Sequence, residues 1–115
     1  MAGDTQVNGK LTLGENTADN GGVRLALVAY LAGPGAKTKD KVDAFTSEQR
    51  VFLGWAQVWC ESTRPEAERV KAATNPHASN KYRVNGPLSN MPEFRKAFSC
   101  KADAPMVRPS SCRVW

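Results

Sequence analysis

Apolar positions are densest at residues 23–31. Val23, Leu25, Leu27, Val28, Tyr30 and Leu31 give a broad apolar surface once the segment coils at helical periodicity. The pattern predicts a helix over residues 15–31, stopped by Gly33, Pro34 and Gly35. Residues 37–43 read as a polar loop. Thr46-Ser47-Glu48-Gln49 is a capping box, with Thr46 as N-cap and Gln49 at N3. It leads into VFLGWAQVW, residues 51–59, which is apolar on nearly every side. Such a helix is expected to be buried all round. A 115-residue chain has little core to hold it, so part of its cover is expected outside the chain.

Thr63-Arg64-Pro65-Glu66 reads as a second capping box, opening a more polar helix to Thr74 that Asn75-Pro76 breaks. Residues 75–90 read as one long irregular connection, a length that usually carries function. A short helix, PEFRKAFSC, should follow, started by Ser89 or Asn90 and by Pro92. The tail carries Pro105 and Pro109 and ends on Trp115. The expected architecture is mainly α, about four helices joined by long loops.

Composition changes this picture little. A hydrophobic share of 41% and a charged share of 23% belong to a globular chain rather than a disordered one. No apolar run is long enough to span a membrane, and residues 1–10 lack the basic-then-apolar pattern of a signal peptide. The net charge of +5 admits a nucleic-acid partner, but the basic residues are scattered. Lys37, Lys39 and Lys41 form one cluster and Arg64, Arg69 and Lys71 another, with no interleaved aromatic stripe. The expectation is therefore no nucleic acid. Cys60, Cys100 and Cys112 match neither a zinc ribbon nor a redox dithiol. Their odd number leaves at least one thiol without an internal partner, either as a buried free cysteine or for a disulfide to a cysteine outside the chain.

Three groups carry candidate chemistry. Glu15 and Asp19 stand four residues apart and share one helix face, where like charges repel unless a positive group answers them. Acids at a helix start are also common simply because they suit the N-terminal dipole. His77 is the only histidine and precedes Arg83 by six residues in the expected loop. The third group is the terminal CRVW. Read alone, these make no enzyme: no nucleophile–base pair is defensible, and there is no HExxH or HxH. A catalytic zinc site needs three protein ligands and an open position, and this chain offers one good carboxylate and one histidine.

The segments GENTADNGG, FLGWAQVWC, NPHASNKYRVNGPLSNMPEF and the terminal CRVW, taken in order, resemble the C-terminal part of the neprilysin and endothelin-converting-enzyme family of zinc metalloendopeptidases. The resemblance runs from about Val7 to Trp115. It implies that the chain is the C-terminal segment of a thermolysin-like catalytic domain, with the HExxH helix and the N-terminal lid absent. Glu15-Asn16-Thr17-Ala18-Asp19 matches the family's ExxxD. Glu15 would be the third ligand of one Zn²⁺, and Asp19 would hydrogen-bond a ligand histidine and fix its tautomer. The charge answering the two acids would then lie outside this chain. Gly21 and Gly22 would let the helix pack closely on a neighbour. His77 would stabilise the oxyanion, and Arg83 would bind a backbone carbonyl of the peptide substrate. Asn85, Gly86 and Pro87 would shape the loop around them.

The same resemblance implies hydrolysis of peptides on the amino side of hydrophobic residues by the intact enzyme, and no activity in the isolated chain. The three cysteines would pair with cysteines earlier in the parent, which favours an extracytoplasmic enzyme, periplasmic or secreted, without excluding a cytoplasmic one. With the upstream part absent, Phe52, Trp55 and Trp59 should be partly uncovered, and the isolated chain is expected to form homo-oligomers. Two other readings are a standalone helical peptide-binding module without catalysis and a small basic nucleic-acid binder. The latter would show affinity that falls steeply with salt.

Overall fold

The computed structural model describes residues 6–37 and 40–114. Lys39 of the first basic cluster and the terminal Trp115 lie outside the described residues. The elements in order are α1 (Gly9–Ala32), a 3-10 turn (Pro34–Ala36), α2 (Ser47–Val58), α3 (Pro65–Thr74), α4 (Asn80–Ser89) and α5 (Pro92–Ala97). The chain is mainly α, as expected, with no strand among the described residues.

Helix α1 starts six residues before the pattern of apolar positions shows it. Asn8 is the N-cap, and its side chain accepts from the amides of Lys10 and Leu11. The first two turns carry few apolar residues to bury, so periodicity alone missed them. Glu15 and Asp19 therefore sit inside the helix rather than at its start, too far in for the N-terminal dipole to account for them. The capping box of α2 forms as expected: Thr46 Oγ1 accepts from the Gln49 amide, and Gln49 Oε1 accepts from the Thr46 amide. The second expected box does not form. Arg64 is the N-cap of α3, Pro65 takes the first position, and Thr63 instead donates its hydroxyl to Glu61 at 2.8 Å. Helix α5 opens from Met91 with Pro92 in its first turn, and Asn90 closes α4.

The largest departure is the loop expected at residues 75–90. Only its first part is irregular, and residues 80–89 form helix α4 with Pro87 inside it. A proline that far into a helix removes one N–H and normally breaks the coil. Here the carbonyl it orphans, that of Arg83, accepts from the indole Nε1–H of Trp55 on α2 at 3.0 Å. A tertiary hydrogen bond thus replaces the helical one, which no local reading of RVNGP can show. Asn85, Gly86 and Pro87 accordingly shape a helix and not a loop.

The core is small. Val23 and Leu27 of α1, Phe52 of α2, Leu88 of α4 and Met91 are buried together. Phe52 meets Phe94 edge-on, with centroids 5.5 Å apart, and Phe94 packs on Phe98 at 5.1 Å. Gln49 Nε2 donates to the Ala97 carbonyl at 2.8 Å and ties α2 to α5. Helix α2 is not buried all round: only Ser47 and Phe52 are enclosed, and Val58 is 70% exposed. The expectation of partly uncovered aromatics holds for Trp55 and Trp59, which are half-buried, but fails for Phe52, which is enclosed by α1 and the two α5-side phenylalanines. On α1, Leu13, Leu25, Val28 and Leu31 also face outward. Gly21 is buried, whereas a Cβ on Gly22 would meet only open space, so close helix packing does not explain the second glycine.

Candidate active site

The face of α1 that carries Glu15 and Asp19 lies against the segment from Asn75 to Arg83. Helix α1 holds both acids four residues apart, on one side, by its pitch. Helix α4 begins just after His77 and carries Arg83 one turn in. The four residues singled out in the sequence therefore meet, although about 60 residues separate the two pairs along the chain.

The two acids have different fates. Asp19 accepts a fork from Arg83, with Nε at 2.7 Å from Oδ2 and Nη2 at 2.8 Å from Oδ1. The pair is nearly enclosed, with side-chain exposures of 12% for Arg83 and 8% for Asp19. Trp59 completes the clamp: the Arg83 guanidinium carbon sits 3.8 Å over its ring, and Trp55 meets Trp59 edge-on at 5.6 Å. The Asp19 carboxylate raises the Arg83 pKa above its already high ordinary value, against an opposing burial effect. Glu15, by contrast, is open. Its Oε2 lies 3.1 Å from His77 Nε2, and both side chains are 42% exposed. Inside the chain, the Arg83 guanidinium answers Asp19 and the His77 ring faces Glu15. The spacing could not reveal this, because both partners come from a segment far along the sequence.

His77 is aimed by Asn75. The Asn75 Oδ1 accepts from the His77 backbone amide and lies 2.9 Å from Nδ1. With Nδ1–H given to Asn75, the ring presents Nε2 toward Glu15. In the sequence Asn75 reads as a helix breaker. An Asn two residues before a histidine is an Asx-turn signal that the sequence did carry. No comparable signal marked Trp55 or Trp59, which read as members of an apolar run. Asn80 Nδ2 donates to the Trp59 carbonyl at 3.0 Å and fixes the end of α2 against the start of α4.

A cleft of about 280 Å³ opens beside His77 and Arg83, lined also by Val58, Trp59, Glu61 and Lys71. Lys71 Nζ lies 3.0 Å from Glu61, and that hydrogen bond, helped by Thr63, lowers the Glu61 pKa. A larger groove of about 470 Å³ lies along α1 past Thr12, Asn16 and Tyr82. It contains no carboxylate and no histidine, so the chemistry points to the smaller cleft.

The donor set fits zinc in part. Glu15 offers an accessible hard oxygen, as a zinc ligand must. Both Asp19 oxygens are held by Arg83, which suits a supporting role and not ligation. Among the described residues no three His, Cys, Asp or Glu side chains converge on one point, so the remaining ligands would have to come from elsewhere. Cys60, Cys100 and Cys112 are unpaired among the described residues. No helix among the described residues is long and apolar enough to cross a membrane.

Comparison with known proteins places the chain in a family. Peptidase family M13 matches residues 1–114. Neprilysin-1 of Caenorhabditis elegans is 43% identical over 117 residues, which is 97% of this chain and 16% of that protein. Endothelin-converting enzyme 1 of Homo sapiens is 44% identical over 112 residues, 95% of this chain and 14% of that protein. Among solved structures, the Mycobacterium tuberculosis zinc metalloprotease Zmp1 in its open state superposes with a TM-score of 0.82 at 38% identity, covering 96% of this chain and 17% of that one. The chain therefore spans only about a sixth of the relatives it matches. The resemblance of the four motifs holds across nearly the whole chain, and the chain belongs to peptidase family M13.

Proposed function

We propose that this chain is the C-terminal segment of the catalytic domain of a zinc metalloendopeptidase, and that it supplies one metal ligand together with a substrate-binding and oxyanion-stabilising wall. The observation that carries the reading is the division of labour on α1: Glu15 stays open while Asp19 is clamped by Arg83. A helix that needed two solvated acids would not bury one of them in a forked ion pair.

In this reading Glu15 would hold one Zn²⁺ with two ligands from the missing upstream part of the domain. The ion, when bound, supplies Lewis-acid polarisation of a peptide carbonyl and of water. The chain's own residues do the rest. Asp19, clamped by Arg83 through both oxygens, would orient a ligand imidazole with the lone pairs that the fork leaves free. Arg83 uses two of its N–H groups on Asp19 and retains others to donate to a peptide carbonyl. His77, whose Nδ1–H is held by Asn75, would donate from Nε2 to a developing oxyanion in its doubly protonated form. Cleavage on the amino side of hydrophobic residues is carried over from the family resemblance alone, since the cleft beside His77 and Arg83 is lined mainly by polar groups, with Val58 and Trp59 at one side. By the family resemblance the three cysteines would pair with cysteines upstream in the parent, which favours an extracytoplasmic enzyme, periplasmic or secreted.

The experiment is peptide hydrolysis by the 115-residue chain and by the complete enzyme carrying this segment. The chain alone should turn over no fluorogenic peptide, with or without zinc, and the complete enzyme should do so in a chelator-sensitive way. In the complete enzyme Glu15→Gln should lose metal, whereas Asp19→Asn should weaken it by roughly 10–100-fold at most. Chelator-sensitive turnover by the pure 115-residue chain, or full metal content in Glu15→Gln, would overturn the assignment.

A further inference from the structure

Pro87 creates a vacancy that Trp55 fills. Within α4 the residue four positions after Arg83 should donate its amide to the Arg83 carbonyl. That residue is Pro87, which has no N–H, and it is buried, so water is a poor substitute. Trp55 Nε1–H reaches across from α2 to the same oxygen at 3.0 Å. Trp55 also meets Trp59 edge-on at 5.6 Å, and Trp59 carries the Arg83 guanidinium on its face at 3.8 Å. One side chain thus touches the Arg83 backbone directly and its head group through one intermediary.

We propose that Trp55 is a positioning residue for Arg83: its indole N–H takes the place of the backbone donor that Pro87 removes, and so fixes the register of the guanidinium on Asp19 and Trp59. The functional side of this inference rests on the reading of Arg83 as the peptide-binding arginine; its structural side does not. The physical argument is one of satisfaction. The Arg83 carbonyl is part-buried, and a carbonyl so shielded from water that lacks a donor costs more than an average hydrogen bond contributes, so the local structure shifts to find another. In the wild-type chain the shift is unnecessary. Without the indole N–H, the Arg83 turn of α4 must move toward water or toward another donor, and the fork onto Asp19 moves with it.

The test uses Trp55→Phe, which keeps an aromatic ring against Trp59 but removes the donor, and Pro87→Ala, which returns a backbone N–H to the position from which Arg83 is normally served. The readout is exchange of the Arg83 Nε–H, followed by ¹⁵N-edited NMR with arginine-selective labelling in the complete enzyme carrying this segment. This proton sits on Asp19 Oδ2 at 2.7 Å and should exchange slowly in the wild type. Trp55→Phe should speed its exchange about tenfold, the scale of one unsatisfied carbonyl shielded from water. Trp55→Phe with Pro87→Ala should bring it back to within about threefold of wild type, which simple loss of indole packing would not allow. In the complete enzyme, Trp55→Phe should raise KM about tenfold with little change in kcat, as expected for lost uniform binding of a peptide, and the second substitution should reverse it. An unchanged Arg83 Nε–H in Trp55→Phe, or a double variant no better than the single, overturns the proposal. A complete wild-type enzyme without chelator-sensitive turnover overturns the peptidase reading instead, and the Arg83 measurement still decides this one.

Discussion

Asp19→Asn is the substitution whose cost the structure fixes most tightly. It keeps the shape of the side chain and removes its charge, leaving the Arg83 guanidinium at 12% exposure without its hydrogen-bonded anion and with only the more distant Glu15 charge acting on it. Two unit charges about 4 Å apart attract by roughly 4 kcal/mol at an effective dielectric constant of 20. Breaking a buried pair from one side costs about 3–5 kcal/mol, because the surviving charge stays desolvated. Trp59 remains beneath the guanidinium and retains some cation–π attraction, so the lower end applies, about 3 kcal/mol. With a urea dependence of about 2 kcal/mol per M, this moves the unfolding midpoint down by roughly 1.5 M. Glu15→Gln is the internal control. The Glu15–His77 pair is 42% exposed on both sides, and such pairs contribute under about 1 kcal/mol. The two variants should therefore rank oppositely in two assays: Asp19→Asn loses more stability, and Glu15→Gln loses more metal in the complete enzyme. The raised Arg83 pKa bears on pH as well. A group whose folded pKa is raised contributes its stability below the unfolded value and loses it as pH climbs through the folded one, so Arg83's contribution persists across the whole working range. The measurement is urea unfolding of both variants under identical conditions. Asp19→Asn within 1 kcal/mol of wild type would refute the claim that the fork onto Asp19 holds α1 and α4 together.

Two further outcomes follow from the same structure. In the complete enzyme, His77→Gln should retain its metal while kcat falls about 10²–10³-fold, as for loss of an oxyanion-hole donor; metal loss in that variant, measured by elemental analysis, would show that His77 had been given the wrong role. The isolated chain should self-associate, because Leu13, Leu25, Val28, Leu31, Val58 and Val70 expose apolar surface that a monomer rarely tolerates beyond a few hundred Å². Burying roughly 500 Å² on each partner at about 25 cal/mol per Å² drives this strongly. Light scattering with and without reductant checks it, and a 12.5 kDa monomer at high concentration that binds no hydrophobic dye would refute it.

What the sequence determined by itself was whatever depends on neighbours along the chain. Thr46 and Gln49 specify their capping box within four residues, and the structure has it. The apolar run at residues 23–31 specifies a helix and supplies Val23 and Leu27 to the core. The ExxxD spacing places Glu15 and Asp19 on one face, and the four motifs identify the family. What only the tertiary structure decided was which groups answer these residues. Asp19 is partnered 64 residues away, and no local rule selects Arg83 over any other cation. The same holds for α4. By local rules a proline near its end argues for a loop, and the helix stands because an indole from α2 satisfies the carbonyl that the proline abandons. Burial followed the same division. The run at residues 51–59 is apolar all round, yet only the side covered by α1, α4 and α5 is enclosed, because burial is set by what lies opposite a residue and periodicity records only which residues can accept it.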